Sequence, residues 1–195
     1  MKLTSLFAAV AIMAAGAAQA ITYTFDYSVG ATDVSGFIET DGTLGNISLA
    51  QIVDYEFNLN GPSFGSTVKT LTPGNSFTAQ AGSGYYVATP TDLTFNFTSG
   101  SIGGVAYYQL GTADNALVCF VTSSLGGCGF GGTQAGQGGI FVSNDWNGNG
   151  IYETSNQTGA QDLGAVVPLP AGLPLLATGL LGVALIGRRF AKSRV

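Results

Sequence analysis

From Thr22 to Val29 apolar and polar side chains alternate, with Tyr23, Phe25, Tyr27 and Val29 on one side and Thr22, Thr24, Asp26 and Ser28 on the other. Successive residues of a β-strand point to opposite faces, so this pattern predicts a strand with one buried and one wetted face. The same period of two recurs twice. Val53, Tyr55, Phe57 and Leu59 alternate with Asp54, Glu56 and Asn58, and Leu93, Phe95 and Phe97 alternate with Thr94, Asn96 and Thr98. Asp41-Gly42 and Asn60-Gly61 are tight-turn signals between such runs, and Pro62, Pro73-Gly74 and Pro90 mark further loops. Apart from a short turn at Ser48–Ile52, no helical periodicity of useful length precedes Leu169. With 30 glycines and regularly spaced turns, the pattern predicts an all-β, antiparallel β-sandwich or jelly-roll-like domain. A closed barrel is the alternative architecture.

The two ends of the chain read differently. Lys2 is followed by an apolar, Ala-rich stretch from Leu3 to Ala18 and a small-x-small site, Ala18-Gln19-Ala20. This predicts a signal peptide over 1–20, with the mature chain beginning at Ile21. The β domain is expected over 21–154, and the polar stretch 155–166 reads as a linker that holds the domain clear of a membrane. Gly126–Gly139 holds eight glycines in fourteen residues and reads as a loop. Residues 171–187 form an uncharged Leu/Ala/Gly/Val run. At about 1.5 Å per helical residue it reaches roughly 25 Å, a short single transmembrane helix. Arg188, Arg189, Lys192 and Arg194 follow it, which places the tail in the cytoplasm and the rest outside.

Val167-Pro168-Leu169-Pro170-Ala171, the apolar span and the arginine cluster occur in the order of a bacterial sorting signal. The last thirty or so residues resemble the VPLPA variant of the PEP-CTERM signal of Gram-negative bacteria. Leu169 departs from the Pro-Glu-Pro form. The resemblance implies that Val167, Pro168, Leu169, Pro170 and Ala171 are the recognition site of an exosortase, with Arg188 and Arg189 as the retention cluster. It further implies export by the Sec machinery and a transient inner-membrane anchor with the domain in the periplasm. The implied end point is the cell surface or an exopolysaccharide biofilm matrix.

Removing both signals changes the charge. The intact chain has six basic and eleven acidic residues, but only Lys69 of the basic ones lies in the body, against all eleven carboxylates from Asp26 to Asp162. A nucleic-acid partner is not expected, because phosphate recognition needs the Lys and Arg this body lacks. Divalent cations or basic partners suit the charge better, and solubility alone also accounts for it.

Cys119 and Cys128 both lie in the exported part, where a disulfide is the natural state. Closing a ten-residue ring contributes roughly 2.5 to 3 kcal/mol in the loop-entropy picture. The candidate metal site is Asp145-Trp146-Asn147-Gly148-Asn149-Gly150-Ile151-Tyr152-Glu153. Asp145, Asn147, Asn149, the Ile151 carbonyl and Glu153 stand at first, third, fifth, seventh and ninth places, with Gly at the sixth, resembling a calcium loop. The twelfth place is Asn156, not the bidentate Glu of an EF-hand, and only two of these side chains are charged, so binding near 0.1 to 1 mM is expected, on the order of extracellular modules. An Asn/Gly hairpin turn explains the same residues without an ion. No other cofactor is expected.

Enzyme signatures are thin. Histidine is absent, which removes the commonest general base and the usual triad. Gly127-Cys128-Gly129-Phe130-Gly131-Gly132 matches a dinucleotide fingerprint, but no helix-forming sequence follows. Ser66-Thr67-Val68-Lys69 matches S-x-x-K without a K-T-G partner. Asp54 and Glu56 share a strand face as any two solvated acids would. The expectation is a non-catalytic exported protein. The alternative is a carbohydrate-binding or carbohydrate-active protein, with Tyr85-Tyr86, Tyr107-Tyr108 and Trp146 as candidate stacking rings, although such doublets more often put one ring in the core.

Overall fold

The computed structural model describes residues 19–65, 67–81, 86–97, 104–109, 115–122, 138–144 and 152–166. Among them the protein is all-β and every strand pair is antiparallel. The strands run β1 (Ile21–Val29), β2 (Thr32–Thr40), β3 (Gly45–Ile47), β4 (Ile52–Asn60), β5 (Lys69–Leu71), β6 (Ser76–Ala81) and β7 (Tyr86–Ala88). They continue as β8 (Asp92–Asn96), β9 (Gly104–Gln109), β10 (Leu117–Val121), β11 (Gly139–Ser143), β12 (Tyr152–Asn156) and β13 (Ala160–Val166). An eight-stranded sheet has the order β3-β7-β8-β13-β1-β2-β4-β5, and a five-stranded sheet the order β12-β11-β10-β9-β6.

The alternating runs form the strands they predict. In β1, Tyr23, Phe25 and Val29 are buried while Thr24, Asp26 and Ser28 are exposed. In β4, Tyr55, Phe57 and Leu59 are buried, but Val53 is 53% exposed. The register between β2 and β4 shifts between Glu39↔Asp54 and Thr40↔Ile52, leaving Val53 as the extra residue of a bulge. A bulge breaks the period of two, which is why alternation placed Val53 on the wrong face. The short turn at Ser48–Ile52 is a single 3-10 turn over Leu49–Gln51. Its Ser48 hydroxyl accepts from the Ala50 N–H, and the Gln51 amide oxygen accepts from the Ser48 N–H at 2.9 Å.

Asp41-Gly42 does form a turn, with Asp41 Oδ1 accepting from Thr43 N at 2.9 Å, but it joins no hairpin. β2 pairs with β1 and β4, whereas β3 crosses to β7 at the far edge. The tightest connection is instead Gly30-Ala31 between β1 and β2, where Val29 faces Thr32. Gly30 has φ 62° at the first central position, as a type II′ hairpin requires.

The main correction concerns 155–166. Ser155 and Asn156 end β12, and Ala160–Val166 is β13, bonded to β8 on one side and β1 on the other. The stretch is therefore a central strand of the larger sheet and no linker, so the folded body extends to Val166. Its polarity reads as linker because Leu163, the extra residue at the bulge between Asp162 and Gly164, is its one buried side chain, while Ala160, Gln161, Asp162 and Ala165 are exposed.

One core joins both sheets. Phe120 of β10 lies 6.1 Å from Phe57, 5.7 Å from Phe95 and 6.1 Å from Tyr107, centroid to centroid. Tyr86 and Tyr107 are fully buried and their hydroxyls bond each other at 2.9 Å. These two rings are core, so they cannot serve as an exposed sugar platform; Tyr85, the Tyr108 side chain and Trp146 lie outside what is described.

Candidate functional site

Both ends of the body emerge at one end of adjacent strands. β1 starts at Ile21 and β13 stops at Val166, and in their antiparallel register Tyr23 faces Val166. Val166 N also donates to Thr91 O at 2.8 Å, so the last residue before Val167 is held in the sheet. Ala20 is exposed and precedes β1 directly, with Ile21 as its first residue. Ala18, Val167–Ala171, the span 171–187, Arg188 and Arg189 lie outside the described residues. Among the described residues no helix is long and apolar enough to cross a membrane.

The opposite end of the nine-residue β1, about 26 Å away at 3.3 Å per residue, holds the remaining sequence candidate. Ser143 of β11 faces Tyr152 of β12, so residues 144–151 connect a hairpin. Asp145, Asn147, Asn149 and Ile151 lie outside the described residues, but Glu153 is placed. Its Oε1 accepts from Ser63 Oγ at 2.6 Å and its Oε2 from the Ala31 N–H. Asn144 Nδ2 donates to Ser63 O at 2.7 Å. Partial burial pushes the Glu153 pKa up, but the hydrogen bonds from the Ser63 hydroxyl and the Ala31 N–H, with the Thr32 hydroxyl and N–H close by, outweigh it and hold the carboxylate below its ordinary range. Glu153 therefore clamps the β11–β12 hairpin to the β1–β2 turn and to the Pro62–Phe64 turn, a role that needs no ion. A Cβ on Gly30 would lie 2.7 Å from Glu153 Oε2, so the turn glycine also leaves space for the clamp. Among the described residues no group of three or more His, Cys, Asp or Glu side chains is placed to hold a metal.

Sequence reasoning missed Ser63, Thr32 and Asn144. The one signal available was Gly30 between two alternating runs, which marks a hairpin and hence which end of β2 the clamp would meet.

Cys119 is buried in β10 and no free cysteine is present among the described residues; Cys128 lies outside them. The phenols of Tyr27, Tyr86 and Tyr107 are pushed up by burial. They stay protonated across the physiological range and offer no base. Asp54 and Glu56 share the outer face of β4, where Glu56 Oε1 accepts from Asn58 Nδ2 at 2.7 Å and Asp54 stands opposite Glu39.

A small cleft of about 150 Å³ opens between the sheets where β12 leads into β13. The half-buried Tyr27, together with Ser28, Ser155, Gln157, Gln161 and Asp162, lines it. Gln157 and Gln161 use their amide N–H groups internally, on Ser155 Oγ (2.9 Å) and Thr158 O (2.6 Å), leaving acceptor oxygens for a ligand. The cleft was hidden from sequence reasoning because Ser155, Gln157, Gln161 and Asp162 read as linker. No protein-family model, no curated protein and no solved structure matches this chain.

Proposed function

We propose that this protein is an exported, acidic, non-catalytic β-sandwich protein of a Gram-negative surface or extracellular matrix, carried out by the Sec route and released from an inner-membrane anchor by an exosortase. The observation that carries this reading is the fit between fold and signals. The first strand starts at Ile21, directly after the Ala18-Gln19-Ala20 site, and β13 runs to Val166, directly before Val167. Cutting at either signal leaves every described strand intact. Because both ends leave the same end of β1 and β13, one pole of the body faces the membrane while the tail is present.

In an oxidising compartment Cys119 and Cys128, the two cysteines of the chain, pair as a disulfide that closes part of the β10–β11 connection. Calcium in the 145–153 loop is an added element of the same reading, at the pole away from the tail. Loop residues supply its ligands, and the engaged Glu153 contributes no free oxygen without loosening the clamp.

Intact mass spectrometry on the native producer and on an exosortase-deficient strain tests the proposal. A native species beginning at Ile21 and ending within Pro168–Ala171, with a longer form in the deficient strain, is the expected result. The same tail in both strains overturns it. Reduction is expected to add two hydrogens to the native mass.

The hydroxyl- and amide-lined cleft favours a second reading, saccharide binding, since acceptor oxygens beside a partly exposed ring suit a neutral polyol. Titration with neutral and acidic polysaccharides, with Gln161→Ala as the comparison, distinguishes the two. Saturable binding weakened by Gln161→Ala establishes a binding module, product formation a carbohydrate-active enzyme, and silence the structural role.

A further inference from the structure

Sheets end in edges, and an edge presents unpaired N–H and C=O groups that invite another strand unless something guards them. Among the described residues the two sheets have four edges, three of them guarded. β3 and β5 are three residues long, and β5 carries Lys69. β12 carries Glu153, tied into the turn pole. The fourth edge, β6, differs. Its six residues, Ser-Phe-Thr-Ala-Gln-Ala, contain no charge and no proline, and its register with β9 runs from Ser76↔Gln109 to Ala81↔Gly104 without a bulge. Among the described residues no strand pairs with its other side.

Beside this edge lies a groove of about 380 Å³ between the sheets, lined by Val53 and Tyr55 of β4 and by Pro73, Ser76 and Phe77. Val53, pushed outward by the bulge, is 53% exposed and Phe77 is 39% exposed. No residue lining the groove is charged.

We infer that β6 is a self-association edge, at which a second copy of this chain pairs antiparallel to give one continuous ten-stranded sheet across a two-fold axis. Two observations select a second copy as the occupant. The body has eleven carboxylates and one Lys, so copies repel except through an uncharged face, and the β6 edge with its groove is such a face. A basic partner, by contrast, finds no carboxylate in the groove to bind.

The edge also matches itself. Side chains directly opposite in a sheet share a face, so a two-fold axis through Thr78 sets Phe77 against Ala79 of the second copy and Ser76 against its Gln80. On the exposed face a large ring then meets a methyl, while Ser76 and Gln80 stay turned inward on Thr72 O and the Leu49 N–H, and the pairing is isologous as a closed dimer requires.

Sedimentation velocity of the full chain in mild detergent, over a concentration series, tests the inference. Wild type, Phe77→Glu, Ala79→Glu and the control Leu44→Glu are compared; the last adds the same charge at a 49% exposed position that does not line the groove. All three sites are exposed, and a thermal melt verifies the fold of each variant. The expected result is a reversible dimer for wild type and Leu44→Glu, with the dissociation constant raised at least about tenfold in Phe77→Glu and Ala79→Glu. Added salt is expected to tighten the wild-type dimer by screening like charges. A wild-type monomer throughout, an unchanged state in Phe77→Glu and Ala79→Glu, or equal loss in Leu44→Glu overturns the inference. Association that needs another protein assigns the edge to a foreign strand and overturns it too.

Discussion

The two sheets meet in one core yet use their strands differently. In β1 and β4 burial alternates, because the outer face of the eight-stranded sheet is wet and carries Asp26, Asp54 and Glu56. In β10 and β11 all five residues of each strand are buried. Val118, Phe120, Ile140 and Val142 point into the shared core, while Leu117, Cys119, Val121 and Phe141 are buried outside it. The middle of the smaller sheet is thus dry on both faces. A period of two reports one wet face; a strand buried on both faces has no such period and reads as a plain apolar run.

Charging the outer face of each sheet breaks this comparison most directly. Val121→Lys, at a position 1% exposed, is expected to cost about 4 kcal/mol or to prevent folding, while Thr24→Lys on the wet face stays within about 0.5 kcal/mol. Urea denaturation of the pair measures the difference; equal stabilities mean that the outer face of β10 is open after all.

Within the wet-faced sheet itself, Gly36 of β2 tests how closely the β4 backbone passes. It faces Phe25 on one side and Phe57 on the other, rings 5.1 Å apart. Its φ is 146° and an added Cβ would lie 1.9 Å from Glu56 O. Gly36→Ala is expected to cost about 3 kcal/mol, combining a glycine-only backbone with overpacking. A melting temperature unchanged from wild type contradicts that account.

The Glu153 clamp joins the two sheets at one pole, and removing its charge sharpens what the hairpin contributes. Glu153→Gln is expected to cost about 1 kcal/mol at neutral pH, after discounting for its partial exposure. Its folded pKa is lowered, so the stabilisation is complete above the ordinary value of 4.5 and fades as pH falls through the lower folded value. The wild-type advantage over Glu153→Gln should therefore shrink as pH falls below the ordinary carboxylate value. Melts from pH 7 to 3 that keep a constant gap rule this out.

The smallest effect lies on the wet face alone. Glu39 and Asp54 stand directly opposite, like charges across neighbouring strands. Asp54→Lys is expected to gain about 0.5 kcal/mol, an effect that salt diminishes, with chemical denaturation at two ionic strengths as the check. No gain at low salt means the two carboxylates are already too well solvated to interact.

Legibility followed the same division. β1, β4 and β8 could be read from alternation, as could the all-β class. β10 and β11 could not, lacking a period, and β13 was mistaken for a linker because Ala160, Gln161, Asp162 and Ala165 are exposed around a single buried Leu163. Of the candidate site, the spacing in the loop points to Glu153, yet its partners Ser63 and Ala31 lie 90 and 122 residues away in sequence.

The amino-acid sequence alone determined what is local: the period of two that makes a strand, the turn residues and the acidic balance of the body. Only the tertiary structure decided that β13 sits between the first strand and the eighth, that Val53 is turned out by a bulge, that Glu153 closes one pole, and that β6 is an edge among the described strands. Pairing partners and burial depend on contacts between residues far apart in the chain, and such contacts leave no period in the sequence to be read.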